Sequence, residues 1–395
     1  LDAYDSPDVI VDRLAPERPV VCARPPRAAA AARWFLDNFP GKTCYAVKAN
    51  PSPWIIRTLI DAGIPALEVA SAEEADLARA LAPTAELIFM NPVKSRRAIK
   101  TAYERHDVRA FALDCAAELD KILEETGNAR DLTLIVRIAV DNSGSMLPLA
   151  GKFGASAFDA PKLLARSRRA ARKLGVSFHV GSQCLSPDAY RAAMVECSRH
   201  IAKAGVTVDV INVGGGFPAL YPGLEAPPLD RYLETILAAR AEMAAPSTAE
   251  LWCEPGRALC ADAESLIARV ELRKADALYL NDGAFGRLFD GAFASWRFPI
   301  RLIRPGGAKS DAALASFRIF GPTCDSFDAL PGPFELPSDV REGDYVEIGA
   351  IGAYGAAMAS GFNGFGKADA AEVRDDPWPS IFDVESAVRG AVRER

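Results

Sequence analysis

The chain has 395 residues, half of them hydrophobic and a quarter charged, a globular composition with room for two domains. A net charge of -6 and the lack of a long basic run argue against nucleic acid as the main partner. No run of eighteen apolar residues suggests a membrane helix. The acidic, proline-broken start LDAYDSPDVIVDRLAPERP is unlike a signal peptide.

The first strand-like run is PVVCARP (19–25). Eight short β-rich runs follow: TCYAV (43–47), ALEV (66–69), LIFM (87–90), AFALD (110–114), LTLIVRI (132–138), VSFHV (176–180), VDVINV (208–213) and LWCE (251–254). Most gaps between them hold amphipathic patterns, such as PWIIRTLIDAG and SAEEADLARALA. Alternating strands and helices imply parallel β/α units. Eight such units favour a closed (β/α)8 TIM-like barrel, and periodicity alone leaves a doubly wound sheet open. After about residue 262 the pattern changes to strands and turns, as in SLIARVELRK, ALYLND, WRFPIRLIR, SFRIFG and DYVEIGAIGAYG. The expected division is a barrel over 26–262 and a C-terminal β-rich domain over 263–395, joined by the N-terminal strand of 1–25.

A barrel carries its site at the C-terminal strand ends. Lys48 follows the first strand and Glu68 ends the second. Arg137 lies late in the fifth and His179 near the end of the sixth. Gly214, Gly215 and Gly216 follow the seventh, and Glu254 ends the eighth. A strand-end lysine alone reads more readily as one reaching out to solvent. A convergent set of reactive side chains favours chemistry.

INVGGGFP offers backbone N–H groups to a phosphate, with a tight turn as the plain alternative. Pro218 and the turn-rich stretch after it do not suit a dinucleotide fingerprint, which needs a helix there. In CEPGRALC, Glu254 suits a protonated ring nitrogen, and Arg257 suits a phosphate or the carboxylate's geometry. His179 in FHVGSQ reads either as a hydrogen-bonded core residue or as a flat ring stacked on a planar cofactor. Cys324 and Asp325 share the loop FGPTCDSFD, where a thiol can move a proton or be a bystander. YLNDGAFG offers Asp282, and GAYGAAMASGFNGF offers Tyr354 and Phe362. The eight cysteines form no C-x-x-C pair, and the three histidines suit no metal cluster. No metal is expected, and a cytoplasmic, reducing setting fits.

The strings YAVKAN, FHVGSQ, GGGFP, EPGR, GPTCDS and GAYG…FNGF, in this order over nearly the whole chain, resemble the ornithine/lysine/diaminopimelate decarboxylase family. Its members are pyridoxal phosphate enzymes with an alanine-racemase-like barrel and a C-terminal β domain. GPTCD with FNGF is most similar to the ornithine branch, whereas YGAAM is closer to the diaminopimelate branch. The resemblance implies that Lys48 forms a Schiff base with the cofactor and that Glu254 pairs with its ring nitrogen. It implies that His179 stacks on the ring, and that Ser182, Gly214, Gly215, Gly216, Arg257 and Tyr354 hold the phosphate. Glu68, Glu74 and Arg137 match positions near the cofactor. Cys324 would protonate the carbanion left by carbon dioxide, and its loop would cross to the neighbouring subunit of a homodimer with shared sites. Asp282, Asp325 and Phe362 would meet the substrate's side chain. The implied reaction is decarboxylation of L-ornithine to putrescine, with L-lysine to cadaverine beside it. Diaminopimelate or carboxynorspermidine decarboxylation, and a regulatory homologue that binds partner proteins, are the alternatives.

Overall fold

The computed structural model describes residues 1–383, so 384–395, the end of the expected β-rich domain, lies outside the described residues. Two compact units are present. One comprises Ala31–Pro218 and Ala226–Gly256, with the turn Ile381–Asp383. The other comprises Leu1–Ala30, Ala219–Glu225 and Arg257–Ser380. The segment 219–225 and the residues from 257 thus group with the sheet unit.

The first unit is a closed barrel of eight parallel strands: Lys42–Ala46, Ala66–Val69, Glu86–Phe89, Ala110–Leu113, Thr133–Arg137, Lys173–Ser177, Val210–Asn212 and Glu250–Cys253. The last strand pairs with the first, Trp252 opposite Lys42 and Cys253 opposite Thr43, which closes the ring. Small and branched side chains including Cys44, Ala66, Ile88, Ala110, Ile135 and Val210 fill its interior beside Trp252. Helices follow the strands, with local signals at their starts. Ala72–Leu81 begins where the Ser71 hydroxyl accepts the Glu74 N–H at 3.1 Å. The Glu74 carboxylate in return accepts the Ala70 N–H at 2.7 Å. The first bond satisfies a donor that the helix leaves unpaired, and the second ties the residue before the cap to the first turn.

The sixth strand lies three residues earlier than VSFHV suggests. Gly175 looks like a helix terminator, yet it sits inside the strand. A Cβ there would lie 3.1 Å from both Ile135 Cγ1 and Val210 Cβ, so packing between neighbouring strands requires a small residue. His179 therefore stands two residues past the strand end rather than within it.

The second unit holds a nine-stranded mixed sheet. The N-terminal strand Val20–Ala23 belongs to it, antiparallel to Glu264–Ile267 and parallel to Asp369–Glu372. The strand Ala329–Pro337 was not legible in the sequence, because ALPGPFELP carries three prolines. It ends the strand order, beside Leu314–Phe320, where prolines are tolerated.

Gly175→Val should cost about 1–3 kcal/mol through overpacking between two strands, read by urea unfolding. An unchanged midpoint would contradict the packing given for this glycine.

Candidate active site

The barrel's strand ends bring the sequence-predicted residues of this unit together. Lys48 lies in the single 3-10 turn Val47–Ala49, immediately after the first strand. Its ammonium donates to Glu68 Oε2 at 2.7 Å. Glu68 is only 2% exposed, so the ammonium of the partly exposed lysine ends on a buried carboxylate.

Glu254 follows the eighth strand and is buried. Its Oε1 accepts from Asn212 Nδ2 at 2.6 Å. Burial pushes its carboxyl up to about 7, and the neighbouring Glu68 charge adds to the rise. Lys48, the Asn212 hydrogen bond and Arg137 oppose it. Arg137, at the end of the fifth strand, is itself pulled down by burial, against the charges of Glu254 and Glu68.

His179 Nδ1 accepts the Gly181 N–H at 3.0 Å, which requires that nitrogen to be unprotonated. Burial holds the imidazole well below its ordinary value, and the Arg137 and Lys48 charges act in the same direction. The ring is therefore neutral. Asn142 Nδ2 fixes its backbone by donating to His179 O at 2.9 Å.

The glycine loop packs directly against these groups. Gly214 has φ 68°, and a Cβ on it would lie 2.2 Å from Phe178 O. A Cβ on Gly215 would lie 2.7 Å from Glu254 O and 3.3 Å from His179 Nε2. Gly216 has φ 101°. Asn212, which sequence reasoning missed although it sits in INVGGG, joins the two features. Its Oδ1 accepts the Gly214 N–H at 2.9 Å while its Nδ2 holds Glu254. Tyr190 Oη adds a bond to Gly215 O at 2.8 Å. Ser182 opens a short strand just beyond Gly181. Glu74 serves the helix cap described above.

The remaining predicted residues lie in the sheet unit. Cys324 is exposed, and its N–H donates to Asn363 Oδ1 at 3.0 Å. Asp325 Oδ1 accepts the Phe327 N–H at 2.9 Å. Cys324 and Asp325 line a cavity of about 770 Å³ with Tyr279, Phe320 and Phe365. Phe362 is 41% exposed, its ring 5.0 Å from that of Phe285.

Asp282 is 2% exposed, and its Oδ1 accepts the Arg287 N–H at 2.8 Å. Burial raises its carboxyl to about 7. Its Oδ2 is buried without a hydrogen-bond partner among the described residues. The Arg257 guanidinium pairs with both oxygens of buried Asp290, at 2.5 and 3.2 Å, and donates to Tyr221 Oη at 2.8 Å. Trp296 and Tyr354 flank it at 4.6 and 5.0 Å.

Among the described residues no group of three or more His, Cys, Asp or Glu is placed to hold a metal ion. No described helix is long and apolar enough to cross a membrane.

A barrel-mouth lysine, a buried carboxylate raised toward neutrality, a neutral imidazole and a glycine turn are a set whose chemistry fits a pyridoxal phosphate enzyme. Residues 27–261 match the family model described as pyridoxal-dependent decarboxylase, pyridoxal binding domain. The chain is 33% identical over 345 residues to a lysine/ornithine decarboxylase of Selenomonas ruminantium, covering 84% of each chain. It is 34% identical over 369 residues to an ornithine decarboxylase of Caenorhabditis elegans, covering 86% of this chain and 83% of that one. Antizyme inhibitor 2 of Xenopus laevis is 31% identical over 366 residues, covering 84% and 75%. Among solved structures, the lysine/ornithine decarboxylase of Vibrio vulnificus complexed with putrescine superposes with a TM-score of 0.79 at 26% identity, over 94% of this chain and 99% of that one. This chain belongs to the pyridoxal-dependent decarboxylase family. It is an amino acid decarboxylase, and pyridoxal phosphate is its cofactor.

The folded-state value of Glu254 lies above its ordinary 4.5, so the folded chain holds that proton longer than the unfolded one. Its contribution to stability is complete below pH 4.5 and fades as pH rises through 7, by at most about 3 kcal/mol. In cofactor-free protein, Glu254→Gln should flatten that decline, read by urea unfolding at a series of pH values across the window. An unaltered slope would remove Glu254 as its source.

Proposed function

We propose that this enzyme decarboxylates a basic amino acid, L-ornithine first and L-lysine beside it, releasing putrescine or cadaverine. One observation carries the reading. Lys48, Glu68, His179, Glu254 and the 214–216 glycines meet at one barrel rim, in a chain similar over more than four fifths of its length to lysine/ornithine decarboxylases.

When bound, pyridoxal phosphate supplies an electron sink for the pair left by departing carbon dioxide. Lys48 would hold it through the side-chain nitrogen, which Glu68 orients. Glu254 would pair with the ring nitrogen and favour its protonated form, a cation that would offset the cost of burying the carboxylate. His179, held neutral, offers a flat face without a competing charge. The glycine loop and Ser182 would hold the phosphate through backbone and hydroxyl donors. Arg137 adds positive charge to the same rim.

Cys324 delivers the proton to the carbon that loses carbon dioxide. Asp325 receives the substrate's distal ammonium, and Phe362 packs along the chain between. A second carboxylate in place of that ammonium would be repelled, which disfavours diaminopimelate. Cys324 is exposed in a loop carrying Phe327, 82% exposed, near Phe362 and Phe365 at about 40%. Exposed apolar groups around a reactive thiol support a surface that pairs with a second copy, each copy lending its cysteine to the other's site.

Purified protein offered ornithine, lysine and meso-diaminopimelate should release carbon dioxide from the first two. Release from diaminopimelate alone would overturn the substrate assignment. Lys48→Ala and Cys324→Ala should each be nearly inactive alone. Mixed after exchange of subunits, they should recover roughly a quarter of wild-type activity, because half the dimers then hold one intact site. No recovery despite confirmed mixed dimers would place the thiol in its own subunit's site.

A further inference from the structure

We propose that Asp328 is the positioning residue of Cys324, with Asn363 as its second support. The proposal rests on Cys324 being the proton donor. Asp328 is 2% exposed, four residues past the thiol. Its Oδ2 accepts the Thr323 N–H at 2.9 Å, immediately before Cys324. Its Oδ1 accepts the Ala284 N–H at 2.7 Å, in the turn that follows Asp282. One buried carboxylate thus bridges two loops through their main chains.

Two glycines make room for it. A Cβ on Gly283 would lie 2.2 Å from Asp328 Oδ1, and one on Gly321 would lie 2.1 Å from the same atom. The cysteine loop also closes on itself, with Gly321 N–H on Asp328 O at 2.8 Å and Asp328 N–H on Asp325 O at 3.1 Å. A third loop completes the platform. Asn363 Oδ1 accepts the Cys324 N–H at 3.0 Å, and Ser360 N–H donates to Phe285 O at 2.9 Å.

The consequence is specific to the thiol. Loops at a surface move on nanosecond to microsecond timescales, whereas a proton donor must be held near one geometry. Here the amides of Thr323 and Cys324 are both held by side-chain acceptors, while the thiol itself is exposed. Asp328 acts through that backbone.

The choice of product is the readout that a merely structural role would not move. When the proton reaches the carbon that lost carbon dioxide, an amine leaves. When it goes to the cofactor's carbon instead, the amino group stays on the cofactor, water adds to the substrate carbon, and an aldehyde leaves. The full-length, cofactor-loaded enzyme and its Asp328→Asn, Asn363→Ala and Cys324→Ala variants are compared on the basic amino acid that wild type turns over fastest. Asparagine keeps one acceptor and turns an NH2 group toward the other amide. Asn363 is exposed, so its variant tests the proposal even if Asp328→Asn does not fold.

For both positioning variants the expected result is a kcat lower by about ten- to a hundredfold, KM within roughly twofold, unchanged cofactor content and a several-fold larger aldehyde fraction. Without turnover, iodoacetamide should alkylate Cys324 several-fold faster in both, with exposed Cys115 as an unchanged internal reference. If Cys324→Ala makes aldehyde but both positioning variants keep the wild-type ratio, the positioning role is overturned and the proton donor stands. If Cys324→Ala leaves products and kcat unchanged, the proton-donor reading falls, and the positioning role with it. Unchanged alkylation of Cys324 in both variants would overturn the positioning role independently of turnover.

Discussion

The barrel site depends on a carboxylate kept where water cannot stabilise it. Glu254 is fully committed to the interior, and burial raises the cost of its charge. Such a group persists when its surroundings hold it. Asn212 does so, and in the same gesture holds Gly214, so the carboxylate and the glycine turn cannot move independently. Gly215 packs bare backbone against the Glu254 main-chain oxygen and His179 Nε2. Glu254 and the glycine turn are thus fastened by a single amide side chain.

The charges around Glu254 are graded rather than simply paired. Lys48 is taken up by Glu68, leaving Glu254 with a hydrogen bond to a neutral amide. A direct lysine contact at Glu254 would lower its carboxyl and weaken its demand for a cation. Keeping His179 neutral serves the same end, since an imidazolium there would compete for the carboxylate. Desolvation, opposed by Lys48 and Arg137 but reinforced by Glu68, leaves Glu254 able to answer a protonated heterocycle near neutral pH.

The barrel and its rim were legible because the eight β/α units repeat a pattern that simple periodicity can count, and reactive side chains recur at strand ends. What escaped did so for physical reasons. Gly175 reads as a stop signal, yet its small size is demanded by two neighbouring strands, a tertiary fact. The prolines of ALPGPFELP argue against a strand unless the strand is known to be at an edge. Asn212 looks like an ordinary polar residue at a strand end, and only the fold shows its two amide ends facing different partners.

The sheet unit solves a different problem from the barrel. A barrel strand end is rigid because the whole ladder fixes it, whereas Cys324 sits in a loop and must borrow rigidity. Three loops supply it mutually, through carboxylate and amide oxygens that accept main-chain N–H groups. These acceptors satisfy backbone donors that a strand would have paired with another strand. Aspartate suits the buried position because its two oxygens accept two amides at once, and glycine on either side lets both amides approach. The motif GPTCDSFD is therefore more than a cysteine with a nearby acid. Its last aspartate and first glycine are the parts that fold around each other, and the residues between them are the ones displayed.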